Sequence, residues 1–345
     1  MRVAATVGTQ PVKIAVVGAG AIGGLVGARL ALAGQNVTFL VRGQNLEAIR
    51  SRGIQLRLKD GSQLVARDVH ATSDYAEAGR QDIVVLAVKA HQVEAVAQDV
   101  PKMFGPDTVV VTMQNGIPYW YFYKHGGALA GHQVASVDPT GLCSRQIPAE
   151  RVLGCVVYPA AVLTAPGVVQ HIEGDRFPVG EPDGSQSARV QRVSECFIQA
   201  GFQAPVLDDI RAEIWLKLWG NLTFNPISAL SRATLADICR YPPTRSLAAA
   251  MMAEAQAVAS KLDVTFRVSI ERRIVGAERV GKHKTSMLQD VEAGREMEID
   301  ALVGSVVELA RLTDTPAPHI EAVYALTKLL AKSVEEERRA GGRAH

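Results

Sequence analysis

Lys217, Asn221 and Asn225 recur at every fourth residue within Glu213-Ile214-Trp215-Leu216-Lys217-Leu218-Trp219-Gly220-Asn221-Leu222-Thr223-Phe224-Asn225-Pro226. On a helix this spacing lines an ammonium and two amides along one stripe. Trp215, Leu216, Leu218, Trp219, Leu222 and Phe224 surround that stripe. Polar groups in so apolar a segment cost free energy unless something pairs with them. A substrate site would supply the pairing. A lysine partly withdrawn from water releases its proton more readily, and asparagines orient a ligand without adding charge. A solvated face, or an asparagine capping a turn before Pro226, also fits the spacing, and the segment alone leaves the choice open.

A second chemical signal lies near the start. Lys13-Ile14-Ala15-Val16-Val17 reads as a short buried strand, Gly18-Ala19-Gly20-Ala21-Ile22-Gly23 follows at once, and an apolar, alanine-rich helix continues from Leu25. That order suits a dinucleotide site. Gly18 allows a tight turn, Gly20 lets the backbone approach a pyrophosphate, and Gly23 lets helix and strand pack closely. Ala21 and Ile22 then open the helix, where unpaired N–H groups face negative charge. The next strand, Asn36-Val37-Thr38-Phe39-Leu40-Val41, stops at Arg42. An NAD site would carry an acidic residue about 20 residues past the glycines, to bind the ribose 2′-hydroxyl. The guanidinium found there instead suits a 2′-phosphate and points to NADP(H). Arg42 also reads as a solvated charge at a strand end.

Composition narrows the class. The 345 residues are 48% hydrophobic and 21% charged, enough for two domains with full cores. A formal net charge of +2 gives no reason to expect nucleic acid or a membrane as partner. Cys143, Cys155, Cys196 and Cys239 lie far apart, which suggests free thiols in a reducing cytoplasm and no metal site. No apolar run is long enough to span a membrane, and residues 1–11 lack a secretory core.

The elements that must position these groups change character along the chain. Gln81-Asp82-Ile83-Val84-Val85-Leu86-Ala87-Val88 and Thr108-Val109-Val110-Val111-Thr112-Met113 are continuous apolar runs of the buried parallel type, with a helical pattern between them. Two further β-rich runs flank Ala165-Pro166-Gly167, predicting an antiparallel hairpin at the far edge of the sheet. Short strands are expected near Val179 and Val206, with a helix over 187–200. After Asp208 helical periodicity takes over, at 210–222, 246–262, 286–293, 298–311 and 319–333. The expected architecture is α/β: a Rossmann-type doubly wound sheet over 12–207, then an all-helical domain over 208–334, with loose tails at 1–11 and 335–345. Chemistry is expected in the cleft onto which the carboxyl ends of the strands open.

Five segments, in order, resemble the ketopantoate reductase (2-dehydropantoate 2-reductase) family. They are the glycine motif with Arg42, Val88-Lys89-Ala90, Gln114-Asn115-Gly116, the Lys217-Asn221-Asn225-Pro226 helix, and Ser286-Met287-Leu288-Gln289-Asp290 with Glu298-Ile299-Asp300. The resemblance runs from Val12 to about Lys332. It implies an NADPH enzyme reducing a 2-oxo acid in pantothenate synthesis, as monomer or homodimer. On that basis Lys217 is the general acid, and Glu298 holds a substrate hydroxyl with Asn221 beside it. Ser286 and Asn225 bind the carboxylate and neighbouring groups. Asn115 sits between nicotinamide and substrate, and Lys89 lies near the phosphate–ribose region.

Each of these residues also has a plainer reading. Lys89 suits a surface strand end, Asn115-Gly116 an ordinary turn, Ser286 a helix cap, and Glu298 a charged helix face shared with Glu292 and Glu296. Asp300 is expected to face elsewhere. The run Tyr119-Trp120-Tyr121-Phe122-Tyr123 reads as packing, or as a lining that alters substrate choice. A reductase of the same fold for another 2-oxo acid, or a sensor that binds NADPH without turnover, remain the rival functions.

Overall fold

The computed structural model describes residues 11–341, so the tail expected at 1–11 falls, apart from Pro11, outside the described residues, as do 342–345. Two compact units emerge. One comprises Met1–Val88, Ala95–Met113 and Gln146–Asp208; the other comprises Lys89–Glu94, Gln114–Arg145 and Asp209–His345. The change at 208–209 falls next to the boundary read from sequence. Two earlier excursions, 89–94 and 114–145, cluster with the helical unit instead of the sheet.

The first unit is built on eleven strands. β1 (Lys13–Val17), β2 (Asn36–Leu40), β3 (Ile54–Arg57), β4 (Gln63–Ala66), β5 (Val69–Thr72) and β6 (Gln81–Leu86) lie in its first segment. β7 (Phe104–Thr112), β8 (Val152–Cys155), β9 (Ala160–Ala165), β10 (Val168–Glu173) and β11 (Val179–Gly180) complete it. Seven of them form one sheet in the order β11-β8-β7-β6-β1-β2-β5, parallel except for β11. β1 lies inside the sheet between β6 and β2, with Ile14 opposite both Val37 and Ile83. The central strands are almost wholly buried, as continuous Val/Ile runs in parallel sheets require.

The other four strands form a separate sheet, β4-β3-β10-β9. The hairpin expected around Ala165-Pro166-Gly167 exists, as β9 and β10, but it belongs here and not at the edge of the main sheet. Its partner β3 lies in 43–80, a stretch whose short, weakly alternating strands carry little periodic signal. Residues 203 and 206 form only isolated bridges.

The helix Ala21–Leu32 contacts both sheets. A Cβ at Gly27 would lie 2.4 Å from the Phe39 ring of β2, and one at Gly24 would lie 2.7 Å from Val169 of β10. This accounts for a helix apolar on nearly all sides.

The helical unit centres on Ile210–Ser231, a 22-residue helix that Asp209 caps through Ala212 N and that runs straight past Pro226. The expected stop before Pro226 does not occur. A proline removes one donor and can be accommodated where tertiary packing holds both flanks, and Leu222 to Ala229 are buried. The last helix, Pro318–Gly341, also extends beyond expectation. Residues 335–341, read as tail, are helical, and Glu335 and Arg339 form an i,i+4 ion pair on the exposed surface. The aromatic run packs within this unit. Tyr121 is fully buried, its hydroxyl accepts from Trp215 Nε1 at 2.7 Å, and Arg211 Nε donates to its carbonyl oxygen at 2.8 Å. No helix among the described residues is long and apolar enough to cross a membrane.

Candidate active site

In the helical unit, four segments distant in sequence meet in one chain of hydrogen bonds. Lys217 Nζ donates to Asn115 Oδ1 at 2.6 Å. Asn115 Nδ2 donates to Glu298 Oε2 at 3.3 Å, and Glu298 Oε1 accepts the Ala90 N–H at 3.0 Å. Only one orientation of the amide serves both neighbours: its oxygen faces the ammonium and its NH₂ the carboxylate. An acid and an acceptor are thereby held on either side of one neutral side chain.

Backbone geometry fixes the middle member. Gly116 has φ +91°, and a Cβ there would lie 2.0 Å from the Ala301 carbonyl oxygen, so only glycine fits behind Asn115. Ile117 N donates to that same oxygen at 3.2 Å. Glu298 stands just ahead of a π-helical turn, Asp300–Gly304, that leads into the helix Ser305–Leu312. The segment 295–298 is not helical. Glu298 is therefore not on a charged helix face with Glu292 and Glu296.

The remaining predicted residues take different positions. Asn221 and Asn225 lie on successive turns of the Lys217 helix, half-buried and buried respectively. Ser286 is exposed at the start of the helix Ser286–Glu292. It is not the cap: Thr285 accepts from Leu288 N and takes that role. Among the described residues none hydrogen-bonds the side chains of Asn221, Asn225 or Ser286, so three polar groups retain capacity for a ligand.

Lys89 is more tightly held than its sequence suggests. Its Nζ lies 2.5 Å from Asp290 Oδ2 and 3.3 Å from the Glu296 carbonyl oxygen. The Asp290 side chain, 8% exposed, also accepts from Arg295 Nε at 2.9 Å. Asp290 and Arg295 carried no assigned role in the sequence reading. Their partner lies some 200 positions away, and no local periodicity could have linked them.

The glycine segment of the first unit forms a tight turn that leads into the helix Ala21–Leu32. Gly18 turns at φ +95°, with a Cβ position 2.8 Å from Val88 Cγ1. A Cβ on Gly23 would meet the Gly18 carbonyl oxygen at 1.9 Å, so the third glycine is obligatory. At Gly20 nothing lies within 4 Å, leaving the backbone open to a ligand. Gly20 caps the helix without a side chain, and the first bond into the turn is Gly24 N to Gly20 O at 2.8 Å. The N–H groups of Ala21, Ile22 and Gly23 precede that bond and are the ones a helix leaves unpaired. Arg42 is exposed just beyond β2, at the N-terminus of the helix Gly43–Arg52. Its charge reaches Tyr75, whose phenol is pushed up to about 12 by burial and Asp99 while Arg42 opposes the rise. An open backbone and unpaired N–H groups at a helix N-terminus suit the pyrophosphate of a nicotinamide dinucleotide.

Residues 14–184 match the family described as Ketopantoate reductase PanE/ApbA, and residues 209–331 match Ketopantoate reductase PanE/ApbA C terminal. The chain belongs to the ketopantoate reductase family. It is 52% identical to a 2-dehydropantoate 2-reductase of Mesorhizobium japonicum, over 92% of this chain and 98% of that one. A candidate ketopantoate reductase from Ralstonia solanacearum MolK2 has a similar structure, with TM-score 0.89, 40% identity and coverage of 93% and 98%. D-mandelate dehydrogenase, solved with NADH and anilino(oxo)acetate, shares the fold at TM-score 0.80 and 21% identity, over 93% of this chain and 99% of that one. As a ketopantoate reductase family member the chain is an oxidoreductase for a small-molecule substrate, with a nicotinamide cofactor. Its α/β first part and helical second part agree with the fold expected from sequence.

Proposed function

We propose that this reductase converts 2-dehydropantoate to pantoate with NADPH, using Lys217 as general acid and Glu298 as the acceptor for the substrate hydroxyl. The observation that carries this reading is the Lys217–Asn115–Glu298 chain, which sets a proton donor and a hydrogen-bond acceptor on either side of one amide. The names of the relatives support the substrate.

The glycine turn, with the N–H groups of Ala21, Ile22 and Gly23, holds the pyrophosphate; Arg42 pairs with the 2′-phosphate. Lys89 serves the phosphate–ribose region with the donor left after Asp290 and Glu296 are satisfied. When bound, the dihydronicotinamide supplies the hydride that reduces the ketone carbon. The chain's own residues handle charge and protons. Lys217 Nζ stabilises the charge developing on the ketone oxygen and gives up a proton to it. Asn115 accepts one ammonium proton and so fixes the direction of the others. The two recorded bonds of the Glu298 carboxylate leave lone-pair capacity for a substrate hydroxyl. Asn221, Asn225 and Ser286 bind the carboxylate and neighbouring groups. Four free, buried thiols support a reducing cytoplasm as the working compartment.

NADPH and NADH oxidation across a panel of 2-oxo acids tests the reading. We expect 2-dehydropantoate to outperform the analogue lacking its hydroxyl by at least ~100-fold in kcat/KM, because a site built to pair a hydroxyl rejects analogues without it. Equal rates for both acids would remove the pantoate assignment. No oxidation with any acid would favour a nucleotide sensor.

A further inference from the structure

Asp300 was expected to face away from the chemistry, and it does, but what it faces matters. Its carboxylate accepts from Tyr324 Oη at 2.6 Å and from Lys328 Nζ at 2.9 and 3.1 Å, both on the last helix. Its carbonyl oxygen accepts from Ser305 N, the i→i+5 bond that closes the π turn. The same residue thus closes the turn through its backbone and anchors it through its side chain. Tyr324 also packs on the turn directly, since a Cβ at Gly304 would lie 3.1 Å from its hydroxyl. Glu298 is tied to this turn in turn: its carbonyl oxygen accepts from Leu302 N at 3.1 Å.

We propose that Asp300, anchored by Tyr324 and Lys328, is the positioning residue that sets Glu298 for recognition of the substrate hydroxyl. The inference rests on the functional reading above. Single π turns recur at functional sites, where the extra residue re-aims the side chains beside it. This one precedes a helix on one side and a non-helical segment, 295–298, on the other, so without an anchor the direction of Glu298 would be loosely set. The ion pair to Lys328 contributes little alone, because both partners are about half exposed. The phenol bond and the close packing on Gly304 carry the restraint. Burial, then the bond to Asp300, push the Tyr324 phenol up, so it remains a donor across the working pH range. The Asn115 turn rests on the same π turn through the Ala301 carbonyl oxygen, which Ser305 Oγ also holds, at 2.7 Å, without the Asp300 side chain.

The test compares Asp300→Asn and Tyr324→Phe with the unaltered protein on two substrates, 2-dehydropantoate and the 2-oxo acid lacking its hydroxyl. Thermal unfolding confirms that each variant is folded. The ratio of the two kcat/KM values should fall roughly tenfold or more in both variants, through a raised KM for the hydroxylated acid, as expected when a contact is misplaced by about 1 Å. Equal losses on both acids, or an unchanged ratio in both folded variants, would overturn the positioning role. If the unaltered protein itself shows no preference for the hydroxylated acid, the functional reading fails first, and the two failures stay distinct.

Discussion

The two units hold their proposed functional groups by opposite means. In the first, apart from the Arg42 side chain, the groups are backbone: a glycine turn and the leading N–H groups of one helix, within residues 18–23. In the second, they are the side chains of Lys89, Asn115, Lys217 and Glu298, gathered by long-range contacts. A backbone site is specified by what is missing, since bulk at the glycines would close it. A side-chain site is specified by what is present and by supports that lie far away in sequence. The first kind tolerates substitution around it and fails sharply at a few positions. The second depends on every one of the distant groups that build it.

Three experiments sharpen that contrast, in order of expected size. Lys217→Ala should lower turnover by about 10²–10⁴-fold while NADPH affinity, measured by fluorescence titration, stays near that of the parent protein. A variant with full turnover would place the proton donor elsewhere. Gly23→Ala and Gly20→Ala should separate folding from binding. The first puts a methyl 1.9 Å from a carbonyl oxygen and should lower the melting temperature, at a cost of about 3 kcal/mol or more. The second adds a methyl to open space, so its melting temperature should hold while NADPH binding weakens. Matching behaviour of the two variants would contradict the distinct roles of these glycines. The smallest effect is expected for Arg42→Ala: NADPH binding weaker by roughly tenfold, the loss of one charge-assisted contact, with NADH binding little changed. Equal losses for both nucleotides would reject the phosphate role.

The same contrast explains what was legible in the sequence. Gly18, Gly20 and Gly23 stand out in the sequence because strand, turn and helix follow one another directly along the chain. The central helix is legible through its four-residue stripe. Its passage through Pro226 is not, because burial on both flanks overrides the local rule. The four-stranded sheet escaped because β3 and β4 are four residues each, too short for alternation to register. Residues 114–145 were assigned to the sheet by position, whereas packing of Tyr121 on Trp215 places them with the helices. Lys89 with Asp290, and Asp300 with Tyr324, are matches of charge or hydrogen bonding that only the folded chain reveals.

The contact at Asn115 carries one more consequence. The oxygen that Lys217 touches at 2.6 Å is an amide carbonyl, chemically close to the ketone that the proposed reaction brings in. The resting protein already offers its ammonium an internal stand-in. Arrival of a 2-oxo acid then exchanges one C=O acceptor for another, or adds a second beside it. Folding thus supplies, before any ligand arrives, one carbonyl partner in place of one that this amine would otherwise take from water.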